Sequence, residues 1–164
     1  MDFAHTAEDE AFRDELRGWL DEHLDPFLAE WSSDDADPAS SGSSGTMKTM
    51  KSMERRRAWQ RLLNTGRWAA INWPKEWGGR EATVTQNVIY SEEHARYRTP
   101  GIYNANGLWQ IGPMIIRWGD DEQKQRWIPN ILNADDHWCQ GFTEPEAGSD
   151  LANLRTTAVR DGDD

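Results

Sequence analysis

Cysteine is nearly missing from this chain. Cys139 is the single one in 164 residues, which excludes an internal disulfide and suits a reducing compartment such as the cytoplasm. Long apolar runs are missing as well. The longest, Trp68-Ala69-Ala70-Ile71, has four residues, whereas a membrane-crossing helix needs about 20. The first residues have no basic stretch followed by an apolar one, so a secretory signal is not expected. The four histidines (His5, His23, His94, His137) lack metal-ligand spacing and are assigned to surface or packing roles, with no metal site expected. Bases are scarce at the start: residues 1–46 carry 13 acids and 2 bases, while the rest balances at 16 of each, for a net charge of -11. An acidic leader on a neutral body disfavours broad binding to nucleic acid or to an anionic membrane. No internal repeat is visible.

What is abundant is tryptophan, at ten residues. So much aromatic area argues for a folded core, packed mainly between helices. Thr6 is placed to cap a first helix, with Asp9 or Glu10 at its positive end. Phe12, Leu16, Trp19, Leu20 and Leu24 recur every three or four residues and form one apolar stripe. Pro26 is expected to end or kink that helix, although Phe27, Leu28 and Trp31 extend the pattern. Ser32–Thr46 holds no apolar residue larger than alanine, so burial cannot offset its ordering entropy and a mobile loop is expected. A second helix is predicted from about Met47 to Asn64, with Met50, Met53, Trp59, Leu62 and Leu63 on its buried side. Its Arg55-Arg56-Arg57 cluster reads as a solvated face. After an aromatic loop at Trp68–Gly79, further helices are predicted at Val84–Arg96, Leu108–Trp118 and Asp121–Leu132. Asp120 caps the last of these, and Pro129 is expected to kink it near its end.

Beyond Asp136 the pattern changes. Trp138–Thr143 and Thr156–Val159 read as short strands, the second followed by the turn signal Asp161-Gly162-Asp163. Cys139 is expected to be buried in the first. No returning strand follows, so the sequence reads as truncated. Two domains are therefore expected, 1–137 helical (with residues 32–46 as its loop) and 138–164 the opening of a β-domain.

Gln140–Asp150 (QGFTEPEAGSD) carries the chemistry. A strand end delivers the Thr143 hydroxyl, a proline stiffens the turn, and Ala147-Gly148-Ser149 lets backbone N–H groups approach a phosphate. A fixed hydroxyl at such a place can donate to a flavin ring as the ring accepts hydride. On the residues alone, an ordinary loop is equally good, and Glu144, Glu146 and Asp150 oppose an anion unless they point outward.

WCQGFTEPEAGSDLANLRTTAVRDGD resembles the start of the middle domain of the acyl-CoA dehydrogenase family. INWPKEWGG, the helix around EEHAR and GLWQIGPMIIRWGDDEQKQRWIPNIL resemble that family's N-terminal domain. The likeness covers roughly Met47 to Asp164, and Gln140 and Glu146 depart from the commonest wording. It implies a mainly α fold here: the N-terminal helical domain, then the first strands of an incomplete β-barrel-like middle domain. It implies FAD as cofactor, with contacts at Gln140, Phe142, Thr143, Gly148 and Ser149. Thr143 would bond near the reactive edge of the ring, Gly148 and Ser149 would meet the pyrophosphate, and Ser149 would also approach the acyl-CoA. The implied reaction, within fatty acid metabolism, is oxidation of an acyl-CoA thioester to the 2,3-enoyl-CoA by α-proton abstraction and β-hydride transfer. The family's base belongs to a C-terminal domain, so no catalytic residue is assigned in these 164. Implied partners are the acyl-CoA substrate, an electron-transfer flavoprotein or similar acceptor, and further subunits in a homo- or hetero-oligomer. Two other readings stand beside this one. The first is a non-catalytic interaction subunit that keeps the helical domain, and the second is a related flavoenzyme such as an acyl-CoA oxidase. Trp73 and Trp77 are kept as candidates to line the flavin or acyl site.

Overall fold

The computed structural model describes residues 5–31 and 50–162. Met47–Lys48–Thr49 and the loop expected to be mobile, Ser32–Thr46, lie outside them. Five α-helices form the body: α1 (Ala7–Glu30), α2 (Met50–Thr65), α3 (Val84–Tyr97), α4 (Gly112–Trp118) and α5 (Asp121–Leu132).

Three of the starts are reciprocal caps. The Thr6 hydroxyl accepts from the Asp9 amide at 3.1 Å, and the Asp9 carboxylate accepts from the Thr6 amide at 3.0 Å. The Thr6 amide first, and then the Thr6 hydroxyl donating at 2.8 Å, hold the Asp9 carboxyl below its usual range. Thr83 with Gln86 and Asp120 with Gln123 repeat the arrangement at α3 and α5. The first stripe packs as its spacing predicts, with Phe12, Leu16, Leu20, Leu24 and Phe27 buried and Trp19 half-buried against the core. Pro26 does not end α1, which runs on to Glu30. Its missing N–H leaves one carbonyl, that of the exposed Glu22, open to water, and burial of Phe27 holds the last turn.

The fourth predicted helix is helical throughout but not uniform. Gly107–Ile111 forms a π-turn, with the Gly112 amide donating to Gly107 O, before α4 begins. Pro113 cannot donate to the turn before it and would crowd the carbonyl there. The wider turn makes room for the ring. Gly112 also permits close packing, because a Cβ there would stand 2.0 Å from Trp73 Cζ2.

The aromatic loop between α2 and α3 belongs to the core. Trp68 and Trp73 are buried. Trp73 Nε1 donates to Leu108 O at 3.0 Å, tying the loop to the π-turn. Arg80 lies 3.4 Å over the Trp68 ring and bonds to Glu15, Arg67 O and Gly66 O. Helices α1 and α3 are clasped by charge: buried Glu93 accepts from Arg13 at 3.0 Å and from Arg17 at 2.9 and 2.7 Å. Those bonds, Arg17's foremost, hold its carboxyl below the ordinary range.

The arginine cluster of α2 departs from expectation. Arg56 is buried against Gly101. Arg57 Nε donates to Ala134 O at 2.7 Å and Arg61 Nε to Asn133 O at 2.9 Å, just past the end of α5. Carbonyls at a helix C-terminus carry partial negative charge and lack intrahelical donors, so two guanidinium groups are well placed there. A run of basic residues does not reveal which neighbour it meets, and the neighbour here is more than 70 residues away.

The two predicted strands are absent: among the described residues the only β pairing is an isolated bridge, Glu144 to Ala147. Trp138–Thr143 and Thr156–Val159 have the side chains of strands. However, no partner strand stands beside either of them to take up the backbone donors and acceptors. Cys139 is accordingly exposed rather than buried. Gly162 does take the left-handed conformation (φ 68°) that the Asp161-Gly162 turn demands.

Candidate cofactor-binding loop

The candidate loop leaves the helical body at one anchored point. Asn104 is fully buried, and its side-chain oxygen accepts from the Gly107 amide at 3.2 Å and the Trp138 amide at 3.1 Å. Gln60, also buried, donates to Ile131 O at 2.8 Å and accepts from the Asn104 amide at 2.9 Å. The Trp138 ring meets Trp127 edge to face at 5.4 Å. A chain of buried amides therefore links α2, the end of α5 and the loop before the π-turn to the residue that begins the motif segment. Buried amides of this kind cost free energy unless they are bonded, so they fix geometry where they occur.

After Trp138 the chain runs over the surface. From Cys139 to Gly162 every residue is exposed except Glu144, half-buried, and Ala147, buried. Glu144-Pro145-Glu146-Ala147 is a tight turn, closed by the Ala147 amide donating to Glu144 O at 3.1 Å. Pro145 suits the second position of such a turn, since its fixed φ is already correct. A single turn of 3₁₀ helix at Leu151–Asn153 follows.

Gln140, Phe142, Thr143, Gly148 and Ser149 all lie on this exposed stretch. Phe142 is two-thirds exposed. A Cβ at Gly148 would meet nothing within 4 Å, so the backbone there is open to close approach. The Thr143 and Ser149 hydroxyls engage in no side-chain hydrogen bond among the described residues. The Glu144 carboxylate is spoken for: it accepts from the amides of Arg155 and Thr156 and from the Thr156 hydroxyl. One of the three acids that counted against an anion is thus held in place by the chain's own donors. Glu146 and Asp150 remain exposed. Two free hydroxyls, an open glycine and a proline-set turn are a donor set that fits a phosphate-bearing cofactor along one side.

Trp73 and Trp77 do not join this stretch. Trp73 is buried with its N–H committed to Leu108, and Trp77 packs against the core. Among the described residues no cluster of three or more His, Cys, Asp or Glu side chains could hold a metal, and no helix is long and apolar enough to cross a membrane. His94 is a packing residue. Its Nδ1 lies 2.7 Å from the Thr99 hydroxyl, its ring meets Tyr90, and burial pushes the imidazole down to about 4. The Gln60–Asn104 link was not visible in the sequence, since neither residue stands in a motif. The one available signal was an asparagine three residues before a glycine ahead of a helix.

The N-terminal domain of acyl-CoA dehydrogenases matches residues 6–135. The acyl-CoA dehydrogenase IpdE1 of Mycolicibacterium smegmatis is 44% identical over 110 residues, covering 67% of this chain and 28% of that protein. IpdE1 of Mycobacterium tuberculosis is 38% identical over 154 residues, 94% of this chain and 38% of that protein. Among solved structures, the ChsE4-ChsE5 complex from Mycobacterium tuberculosis matches with a TM-score of 0.65 and 32% identity, over 99% of this chain and 37% of that one. The Tcur3481-Tcur3483 steroid ACAD matches with a TM-score of 0.68 and 31% identity, over 99% and 38%. The chain thus spans less than two fifths of the length of each of these relatives. The chain belongs to the acyl-CoA dehydrogenase family, and its helical body is that family's N-terminal domain.

Proposed function

We propose that this chain is the N-terminal helical domain of an FAD-dependent acyl-CoA dehydrogenase, residues 1–137, joined to the first part of its middle domain, residues 138–164. The observation that carries this is the exposed stretch Thr143–Ser149, with two unengaged hydroxyls, an open glycine and the Glu144 carboxylate bound to the chain's own amides. FAD, when bound, supplies the acceptor for the hydride that leaves the substrate. The Thr143 hydroxyl donates at the ring, where negative charge develops. Gly148 offers its backbone closely and Ser149 its hydroxyl to the pyrophosphate, with Ser149 also near the acyl-CoA. Gln140 and Phe142 line the approach to the ring, and Phe142 becomes covered.

The substrate is an acyl-CoA thioester, oxidised between Cα and Cβ. One structural neighbour is described as a steroid ACAD, which favours a bulky steroid-linked acyl group over a simple fatty acyl chain. Both neighbours are described as pairs of differently named chains, which favours a hetero-oligomer. An electron-transfer flavoprotein would take the electrons onward.

The test is flavin titration with Thr143→Val and Ser149→Ala, together with a turnover assay. The 164-residue chain is expected to bind FAD weakly and to show no turnover with acyl-CoA and an artificial acceptor. Loss of a positioned base alone removes about 10²–10⁴-fold. Weaker FAD retention in both variants supports the assignment, and wild-type retention in both defeats it. Turnover by the chain after rigorous purification would show that a base lies within these residues. Oxygen consumption without another acceptor would favour an oxidase.

A further inference from the structure

Of the three acids between Glu144 and Asp150, Glu144 alone is hydrogen-bonded through its side chain among the described residues. Its two oxygens each receive the Arg155 amide at 3.1 Å, and one also receives the Thr156 amide and hydroxyl. Its backbone carbonyl receives the Ala147 amide. A single residue therefore fixes both the near side of the turn and the return of the chain twelve residues on. Gly148, Ser149 and the 3₁₀ turn lie between those two tethers. Apart from them, the buried methyl of Ala147 is the loop's one inward-facing side chain.

Two physical consequences follow. Bonds to an ionised carboxylate are stronger than those between neutral groups, so this closure lowers the entropy of the loop between the two tethers. The lone pairs are also spent on neutral N–H and O–H donors. The Thr156 hydroxyl foremost, then the two amides, draw the carboxyl below its ordinary range. The carboxylate keeps its charge, and the bonds to Arg155 and Thr156 fix where that charge sits.

We propose that Glu144 is the positioning residue of this loop, a clasp that presents Gly148 and Ser149 to a diphosphate. The inference rests on the assignment of the loop to FAD, so its test separates the two. Glu144→Ala, Glu144→Gln and Ser149→Ala are compared with the wild-type 164-residue chain by amide exchange at Arg155 and Thr156, and by titration with FAD. The clasp predicts protected amides in the wild type, a loss of about fivefold or more in Glu144→Ala, and partial rescue in Glu144→Gln, which keeps one carbonyl acceptor. It further predicts that wild-type protection fades only below the usual carboxylate range, while Glu144→Gln shows no such titration. FAD affinity should fall in step with protection.

Equal protection at Arg155 and Thr156 in wild type and Glu144→Ala would overturn the clasp. So would unchanged FAD affinity in Glu144→Ala alongside weakened affinity in Ser149→Ala, and in that case the cofactor assignment survives. If Glu144→Ala loosens the amides while both Glu144→Ala and Ser149→Ala hold FAD like wild type, the cofactor assignment fails and the positioning role goes with it.

Discussion

Among the described residues from Ala7 to Trp138 the chain closes on itself. Aromatic rings fill the spaces between helices, and buried Glu93 and Gln60 bond to distant elements, Glu93 to Arg13 and Arg17 and Gln60 to Ile131 and Asn104. Between Cys139 and Gly162 nearly everything is exposed, and the order that exists is local. The first region is held by burial, the second by a turn and one carboxylate. Order that rests on burial couples distant parts of the chain, whereas order that rests on one turn and one carboxylate is confined to the residues between them.

Large-to-small substitutions sharpen that contrast most. Trp59 is fully buried among Trp19, Phe27 and Leu63, and Trp59→Ala is expected to cost about 3–5 kcal/mol. Phe142→Ala, on an exposed ring of similar chemistry, is expected to stay within about 0.5 kcal/mol. Urea denaturation of both variants measures the difference. A large loss in Phe142→Ala would mean that the segment packs on the body, and the division would fail.

Acid should break the body before it breaks the segment. His94 is buried and its folded pKa, about 4, lies below the ordinary histidine value, so the unfolded chain takes up a proton first. That contribution is fully present above about pH 6.5 and is lost as pH falls toward 4, amounting to something on the order of 2 kcal/mol by pH 4.5. Glu93 also has a lowered pKa. Its contribution is present above the ordinary carboxylate range and is lost only when pH falls through the folded value. Melting temperature is therefore expected to decline from pH 7 to 4.5, and His94→Phe should flatten most of that decline. An unchanged slope in the variant would show that His94 is not the group responsible.

These two regions were also unequally legible. The stripe from Phe12 to Leu24, the caps at Thr6 and Asp120, and the helix limits at Val84 and Leu132 follow from short-range spacing, which a sequence displays directly. The Glu144–Ala147 turn was visible because Pro145 sets it locally. What could not be read depends on partners far along the chain. Arg57 looked solvated because Ala134 is distant in sequence. Pro26 was expected to end or kink its helix, but α1 runs on to Glu30 with Phe27 buried, and the π-turn at Gly107–Ile111 had no signal that was read. The strands at Trp138–Thr143 and Thr156–Val159 were drawn from side-chain type, yet a strand exists only with a neighbour to pair with.

The smallest expected effect lies at the junction between the two regions. Asn104 holds the Trp138 amide and is itself held by Gln60, so it is the last point at which the body controls the segment. Asn104→Ala leaves the Gly107 and Trp138 amides without their acceptor, a loss of about 1–3 kcal/mol if both stay buried. Trp138 is only half-buried, however, and its amide can turn to water once released, which places the cost near the lower end. Asn104→Asp keeps the acceptor and should spare the amides, although it brings a charge into a buried place. The informative measurement is therefore exchange at Trp138 rather than global stability. Asn104→Ala should raise exchange at Trp138 and leave Arg155 and Thr156, tied to Glu144, unchanged. If those two amides loosen together with Trp138, the segment is organised by the body and its order is not local.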